Sequence, residues 1–308
     1  MQSSLQALIA NLEKVLVGKR AAIELVVAAM LAKGHVLIDD VPGVGKTMLV
    51  KSLAKSTGLE FRRIQFTPDL LPADITGVSI YNPQSQAFEY RPGPLVANLV
   101  LADEVNRTSP RTQSSLLEAM EEQQITVDGQ THHLPQPFMI LATQNPIEYE
   151  GTYPLPESQL DRFMLKVSLG YPSLDEELTV LTRLRGEHPV HDLGKVITGS
   201  DISALQLAVC SIHVAPSIDR YLVQMAQSLR QHPDLFLGVS PRGTLALARL
   251  CQAWALLKGR DYVLPDDAKY LLPFAWAHRL ILKSEARLRG RQTAAILMEL
   301  LGQTVVPA

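Results

Sequence analysis

Three things are scarce in this chain: cysteine, aromatic residues and net charge. The 308 residues hold two cysteines, Cys210 and Cys251, each in an apolar, helical-looking run. Neither belongs to a C-x-x-C spacing, which argues against a disulfide framework or a zinc knuckle and fits a reducing, cytosolic compartment. Aromatic residues make up 6% of the chain, so the core rests on aliphatic side chains. Lys and Arg number 29 against 31 Asp and Glu, a net charge of −2. No global basic field therefore argues for nucleic acid or an anionic membrane surface. Long apolar runs are also missing. The longest, Ile23–Ala32 and Leu95–Ala102, fall well short of the ~18 residues of a membrane span. The N-terminal stretch MQSSLQALIANLEKVLVGKR has no early basic region and carries Glu13 within its period. It reads as an amphipathic helix, not a signal peptide, and the protein is expected in the cytoplasm.

What is present is an ordinary globular balance, 46% hydrophobic and 19% charged, in a length suited to about two domains. The first half alternates short apolar strands with helical patterns. Strands are predicted at His35–Asp39, Phe61–Phe66, Asn98–Asp103, Phe138–Thr143 and Phe163–Leu169, with helices such as Lys46–Ser56 and Ser109–Gln123 between them. Continuous apolar strands that alternate with helices predict a parallel sheet covered on both faces. Ser109 and Pro110 suit the N-cap and first position of their helix. Two segments break the alternation. Residues 77–91 and 124–134 read as β-hairpins, the second turning on Asp128-Gly129, where both positions favour positive φ. Such projections either contact partners or cover apolar surface. After Gly170-Tyr171-Pro172 the period becomes helical with almost no strand signal. The clearest helices are Leu205–His213, Ser217–His232, Pro241–Lys258, Pro265–Leu282 and Arg291–Leu301. The predicted organisation is a sheet domain over 1–172 and an all-α domain over 173–308, with a polar connector around 186–200.

Chemistry concentrates at strand ends. Asp39–Thr47 reads DDVPGVGKT, between a predicted strand and a predicted helix. This is the setting of a phosphate-binding loop: Gly43 and Gly45 let backbone N–H groups face phosphate, and the helix N-terminus receives negative charge. Lys46 would reach the β- and γ-phosphates and Thr47 would offer its hydroxyl to Mg²⁺. The strict pattern places its first glycine at position 40, where Asp40 stands; aspartate tolerates unusual turn conformations. Asn98–Glu104 is an apolar strand ending in two acids, 57 residues beyond Lys46 when counted to Asp103. Asp103 suits Mg²⁺ through water, and Glu104 suits activation of an attacking water. Phe138–Pro146 ends in Asn145, suited to positioning that water, with Thr143 and Gln144 less favoured. Arg162, in LDRF, is a candidate arginine finger toward a neighbouring subunit's phosphate. Arg242, in SPRGTLAL, is a candidate nucleotide sensor for the helical domain. Either arginine could instead be a surface ion pair.

Other features carry less. His132 and His133 are adjacent in a predicted strand, so their side chains face opposite ways and do not readily share a metal. Trp254 and Trp276 fall in apolar helical runs and read as core. Arg279–Arg291 holds five basic residues against Glu285. It reads as a solvated basic helix end or subunit contact more readily than a nucleic-acid patch.

The stretches VPGVGKT, FTPDLLPADITG, GPLVANLVLADEVNRTSPRTQSSLLEAMEE, LATQNPIEYEGTYPLPESQLDRFMLKVSLGYP and SPRGTLAL together resemble the MoxR family of AAA+ ATPases over almost the whole chain. The resemblance implies an α/β AAA+ fold: a P-loop αβα parallel-sheet domain with two β-hairpin inserts, then an all-α lid. It implies ATP bound by Val17 and Gly18 near the adenine and by Asp40, Val41, Pro42, Gly43, Val44, Gly45, Lys46, Thr47 and Met48. Asp103 and Glu104 take the Walker B role, with Mg²⁺ on Thr47 and Asp103. Asn145 is then sensor 1, Arg162 the finger and Arg242 sensor 2; Arg107 is included without a role that the sequence can assign. A hexameric ring, a chaperone-like role in maturing client proteins or inserting metal cofactors, and a von Willebrand factor A domain partner are also implied. Two rival readings remain open at this stage. A nucleic-acid motor would show DNA-stimulated turnover with steep salt dependence. A nucleotide-gated binding module would keep its binding after Glu104→Gln.

Overall fold

A computed structural model describes residues 2–145, 152–183 and 189–306. Within them the chain runs α1 (Gln2–Glu13), α2 (Arg20–Leu31), β1 (Val36–Asp39), α3 (Lys46–Thr57), β2 (Phe61–Gln65), α4 (Pro72–Thr76), β3 (Gly77–Asn82), β4 (Ala87–Pro92), β5 (Leu99–Asp103), α5 (Pro110–Glu122), β6 (Gln124–Val127), β7 (Gln130–His133), β8 (Met139–Gln144), α6 (Glu157–Leu160) and β9 (Leu165–Val167). The five predicted strands form one parallel sheet in the order β2-β5-β8-β1-β9. β5 is buried along its whole length and β8 up to its last residue, because both faces are covered. β2 lies at an edge, with Ile64 buried and Arg62, Arg63 and Gln65 exposed.

The two sheet faces pack into separate cores. One joins Ile38, Leu101 and Leu141 to α1, α2, α3 and the C-terminal helices. The other joins Leu37, Val100 and Ile140 to α5. His35, just before β1, ties the layers together. Its Nδ1 accepts the Ile140 N–H at 3.0 Å, so its Nε2 carries the proton donated to Met120 O at 3.0 Å. Burial of this neutral ring lowers its pKa from 6.5 to about 4.

Both expected hairpins are present. Asp128 and Gly129 have φ of 51° and 78°, as a two-residue turn of this kind requires. The hairpins touch each other through Tyr90 stacked on His132, with centroids 3.9 Å apart. Val78, Ile80, Tyr81 and Phe88 of the first hairpin remain exposed.

Beyond the sheet come α7 (Leu174–Arg183), α8 (Gly199–Val209), α9 (Pro216–Arg230), β10 (Leu235–Leu237), α10 (Pro241–Leu257), α11 (Pro265–Trp276), β11 (Ile281–Leu282), α12 (Ser284–Leu288) and α13 (Thr293–Gln303). Among the described residues the lid is helical apart from the short antiparallel pair of β10 with β11 and an isolated bridge between His213 and Tyr262. The helix expected over Pro265–Leu282 therefore ends at Trp276, where the chain turns through a 3₁₀ segment, Ala277–Arg279, into β11. Trp254 and Trp276 are buried, the latter donating to Gly243 O at 2.9 Å. Part of the predicted 186–200 connector, and the stretch from Pro146 to Gly151, lie outside the described residues. None of the described helices is long and apolar enough to cross a membrane.

Candidate functional site

β1, β5 and β8 end on the same side of the sheet, and their C-terminal ends carry the polar groups. After β1 the loop 42–45 turns with Gly43 at φ 86° and Gly45 at φ 99°, and α3 begins at Lys46. Positive φ at both positions suits glycine, and the Cβ position of Gly43 faces open space. The helix starts with no side-chain cap, leaving its first N–H groups for an anionic ligand. A cavity of about 330 Å³ is lined by Pro42, Gly43, Gly45, Lys46, Thr47, Met48, Arg63, Asp103, Glu104 and Asn145. Gly43, Gly45 and Met48 also border an apolar cavity of about 220 Å³ formed with Val15, Leu16, Val17, Val44, Pro172 and Val180. A polar pocket adjoining an apolar slot matches the two ends of a nucleotide.

Asp40 behaves differently from the expectation. Its φ is not among the left-handed ones. Its carboxylate turns away from the phosphate cavity to accept the N–H groups of Leu169 at 2.5 Å and Gly170 at 2.9 Å, and the Ser168 hydroxyl at 3.1 Å. Its side chain thus latches the loop to the segment that leaves β9. Its carbonyl receives the Lys46 ammonium at 2.7 Å.

The two acids sit in a polar chain. Asp103 Oδ1 accepts the Thr143 hydroxyl at 2.5 Å, and Oδ2 accepts Nε and Nη2 of Arg63 at 3.1 and 2.6 Å. The Thr143 oxygen also receives the N–H of Glu104 at 2.9 Å. Glu104 has φ 59° and ψ 50°, a left-handed conformation that is uncommon for a residue with a side chain and that turns it out of the strand line. Its Oε2 accepts Nε2 of Gln65 at 2.9 Å and Nη1 of Arg107 at 3.1 Å. Arg107 therefore engages the acid three residues before it. Asn145 is buried at the edge of the same cavity.

Arg162 and Arg242 lie elsewhere. They meet around Glu121, at the end of α5. Arg162 Nε is 3.2 Å from Oε2, and Arg242 Nη2 pairs with Oε1. Both line a second cavity of about 280 Å³ together with Lys33, Arg249 and Arg279. Among the described residues none borders both this cavity and the phosphate cavity. The lid is fastened beside it. Arg279 is buried and donates to Asp161 Oδ1 at 2.7 Å, while the Ser240 hydroxyl donates to Asp161 Oδ2 at 2.8 Å. Arg289 and Arg291 pair with Asp234, and Arg291 also with Glu299. The basic stretch seen in the sequence is thus largely neutralised within the fold.

The comparisons agree with this architecture. The family described as "ATPase family associated with various cellular activities (AAA)" matches residues 35–165, and the AAA lid domain matches 227–300. The uncharacterized protein YeaC of Bacillus subtilis is 57% identical over 96% of this chain and 93% of its own length. Chaperone MoxR1 of Mycobacterium tuberculosis is 39% identical over 92% of this chain and 77% of its own. The chain belongs to the MoxR family of AAA+ ATPases. A crystal structure from Cytophaga hutchinsonii superposes with a TM-score of 0.94 at 37% identity, covering 100% of this chain and 96% of that one. Family membership supports ATP hydrolysis as the general activity.

The sequence motifs include none of Arg63, Gln65 and Glu121 as site residues. Arg63 and Gln65 alternate on β2, so they share one face, and that spacing is the available signal. Glu121 has none: its partners lie 41 and 121 residues away.

Proposed function

We propose that this protein hydrolyses Mg-ATP at the interfaces of a hexameric ring and uses the energy, in the cytoplasm, for chaperone-like maturation of client proteins. The observation that carries this reading is the separation of the two cavities. The loop, both acids and Asn145 face one cavity, while the arginines suited to a transferring phosphoryl group face another. One subunit would thus carry two halves, joined across the interface with a neighbour. A sheet domain over 1–172 and a lid over 173–308 would be the parts that move.

The residues present fit Mg²⁺ and a triphosphate: an ammonium, a hydroxyl, a carboxylate and free N–H groups border one cavity. Thr47 and Asp103 would hold the metal, which neutralises phosphate charge. Lys46 would exchange the Asp40 carbonyl for phosphate oxygens. Glu104 would take a proton from the attacking water, and Asn145 would position that water. Arg162, with Arg242, would reach a neighbour's phosphates, releasing Glu121. Arginine fingers contribute ~10³–10⁵ in rate, or about 4–7 kcal/mol. Assembly therefore acts as a switch. The name of the M. tuberculosis relative supports the chaperone role. A von Willebrand factor A domain protein is the partner that the family resemblance implies.

The test is turnover per subunit against protein concentration, with ring size measured on the same samples, for wild type and Arg162→Ala. The expected result is turnover that climbs as rings form and collapses in Arg162→Ala while rings persist. Turnover independent of assembly would overturn catalysis across the interface.

A further inference from the structure

Resting on the reading of the arginine cavity as half of an interfacial nucleotide site, we propose that Glu121 is a positioning residue, an internal competitor that stands in for phosphate between Arg162 and Arg242. Arg249, on the same wall, makes a polyphosphate the anion that displaces it.

The charges of this cavity do not balance. Lys33, Arg162, Arg242, Arg249 and Arg279 line it against Asp161 and Glu121, five cations to two carboxylates, a surplus of +3. Asp161 is occupied by Arg279 and the Ser240 hydroxyl. Among the lining residues Glu121 therefore faces the other four cations alone. Its two oxygens are divided: Oε2 lies 3.2 Å from Arg162 Nε, and Oε1 accepts Arg242 Nη2. The first contact is incomplete. Arg162 Nε is buried, yet no acceptor is aligned with its N–H, so it meets Glu121 in charge and not in a hydrogen bond. A buried donor without an acceptor is costly, and an anion that brings more oxygens removes that cost. Neither Lys33 nor Arg249 pairs with a carboxylate among the described residues.

Arg249 bears on the size of the incoming anion. Arg242 and Arg249 stand seven residues apart on α10, so they leave the same face of the helix about 10 Å from each other. A single phosphate seated between Arg162 and Arg242 leaves Arg249 unanswered. A chain of phosphates extends toward it, and its several charges match the surplus. Glu121 belongs to the same chain as its arginines, which gives it a high effective concentration. A weakly charged anion therefore competes poorly with it. The state with both arginines free is a minor one, and the affinity of the cavity for any anion falls by that fraction. When a bound polyphosphate loses its terminal group, its advantage over the carboxylate shrinks and Glu121 takes the arginines back. The cavity thus distinguishes a triphosphate from a shorter anion through a competition inside one subunit.

The probe is inorganic triphosphate, titrated calorimetrically in EDTA into Lys46→Ala at concentrations where size measurement shows single subunits. Loss of the Lys46 ammonium and of metal weakens the phosphate cavity, so the heat reports on the other one. Adding Arg162→Ala should abolish this binding; binding that it leaves unchanged places the anion elsewhere and overturns the proposal. Adding Glu121→Gln instead should tighten it about 3–10-fold, the scale of removing one competing charge from a partly exposed site. Unchanged, weaker or undetected binding there overturns the stand-in. Arg249→Gln should weaken triphosphate about 2–5-fold and flatten its salt dependence, while orthophosphate changes less than twofold. An equal effect on both anions overturns the role of Arg249. In assembled, otherwise wild-type protein, Glu121→Gln should lower the KM for ATP about 3–10-fold without lowering kcat. A lower kcat at unchanged KM means that Glu121 orients the arginines in the working ring, and overturns the competition. If Arg162→Ala abolishes triphosphate binding but spares turnover of assembled protein, the interfacial reading falls while the anion site stands. Melting temperatures within a few degrees of wild type separate these effects from misfolding.

Discussion

The phosphate cavity and the arginine cavity are built by opposite means. The first is made largely of short contiguous segments: a glycine loop, a strand ending in two acids, a strand ending in Asn145. Backbone supplies much of it, as N–H groups at the start of α3 and left-handed turns at Gly43, Gly45 and Glu104. The second is made of long side chains gathered from α5 and α10 and from the turns that follow α2, α6 and α11, and held by Glu121 and Asp161. A site made of backbone is rigid and present in every subunit. A site in which two arginines, Arg162 and Arg242, share the Glu121 carboxylate can be handed over to another anion. The difference suggests where chemistry is prepared and where it is controlled.

The sharpest way to break the comparison is Arg162→Ala. Turnover of assembled protein should fall about 10³-fold or more, with nucleotide binding retained. A fall below tenfold, measured at saturating ATP, would move the control away from this cavity. Glu104→Gln attacks the other side. Hydrolysis should drop about 10²–10⁴-fold, while a fluorescent ATP analogue binds as before. If binding is lost too, Glu104 supports the cavity's shape and not its chemistry.

Stability offers a third contrast, because His35 borders the arginine cavity from a buried position. Its folded pKa of about 4 lies below the unfolded value of 6.5. The neutral ring's contribution is therefore complete above pH 6.5 and is lost as pH falls toward 4. At ~1.4 kcal/mol per unit, that shift amounts to about 3 kcal/mol. Urea unfolding at pH 7.5 and pH 4.5 should reveal it, and His35→Asn should flatten the difference. His278 is displaced the same way, to about 3, by burial and then by the neighbouring Arg279, so some acid sensitivity should survive that variant. The smallest effect is expected at Asp40. Asp40→Asn leaves one acceptor oxygen where the carboxylate has two, one for the N–H groups of Leu169 and Gly170 and one for that of Val41, which costs about 1–3 kcal/mol in unfolding free energy. An unchanged unfolding midpoint would mean that this latch adds nothing to the link between loop and lid.

Much of the fold was legible because its signals are local. Five strands, both hairpins and the main lid helices follow from hydrophobic period and turn residues, most with ends that differ by a residue or a few, although α8 starts six residues before the expected Leu205 and ends four before His213. Ser109 caps α5 through the Thr112 N–H at 3.5 Å and Pro110 occupies its first turn, as the residue types imply. The pair β10–β11 was not legible, since three-residue and two-residue strands are too short to show a period. Nor was the end of α11 at Trp276. There the chain leaves the helix so that Arg279 can reach Asp161 and the carbonyl of Phe163, a contact across more than a hundred residues.

The sequence by itself determined the parallel sheet, the phosphate loop and the acids at its rim, because glycine geometry, strand burial and motif spacing are properties of neighbouring residues. Tertiary structure alone decided that Asp40 faces the lid connection, that Arg63 and Gln65 hold the two acids, and that Arg162 and Arg242 share Glu121. Each of these is a pairing of charges or hydrogen-bonding groups far apart in the chain. Electrostatic partners are chosen by proximity in space, which no local pattern encodes.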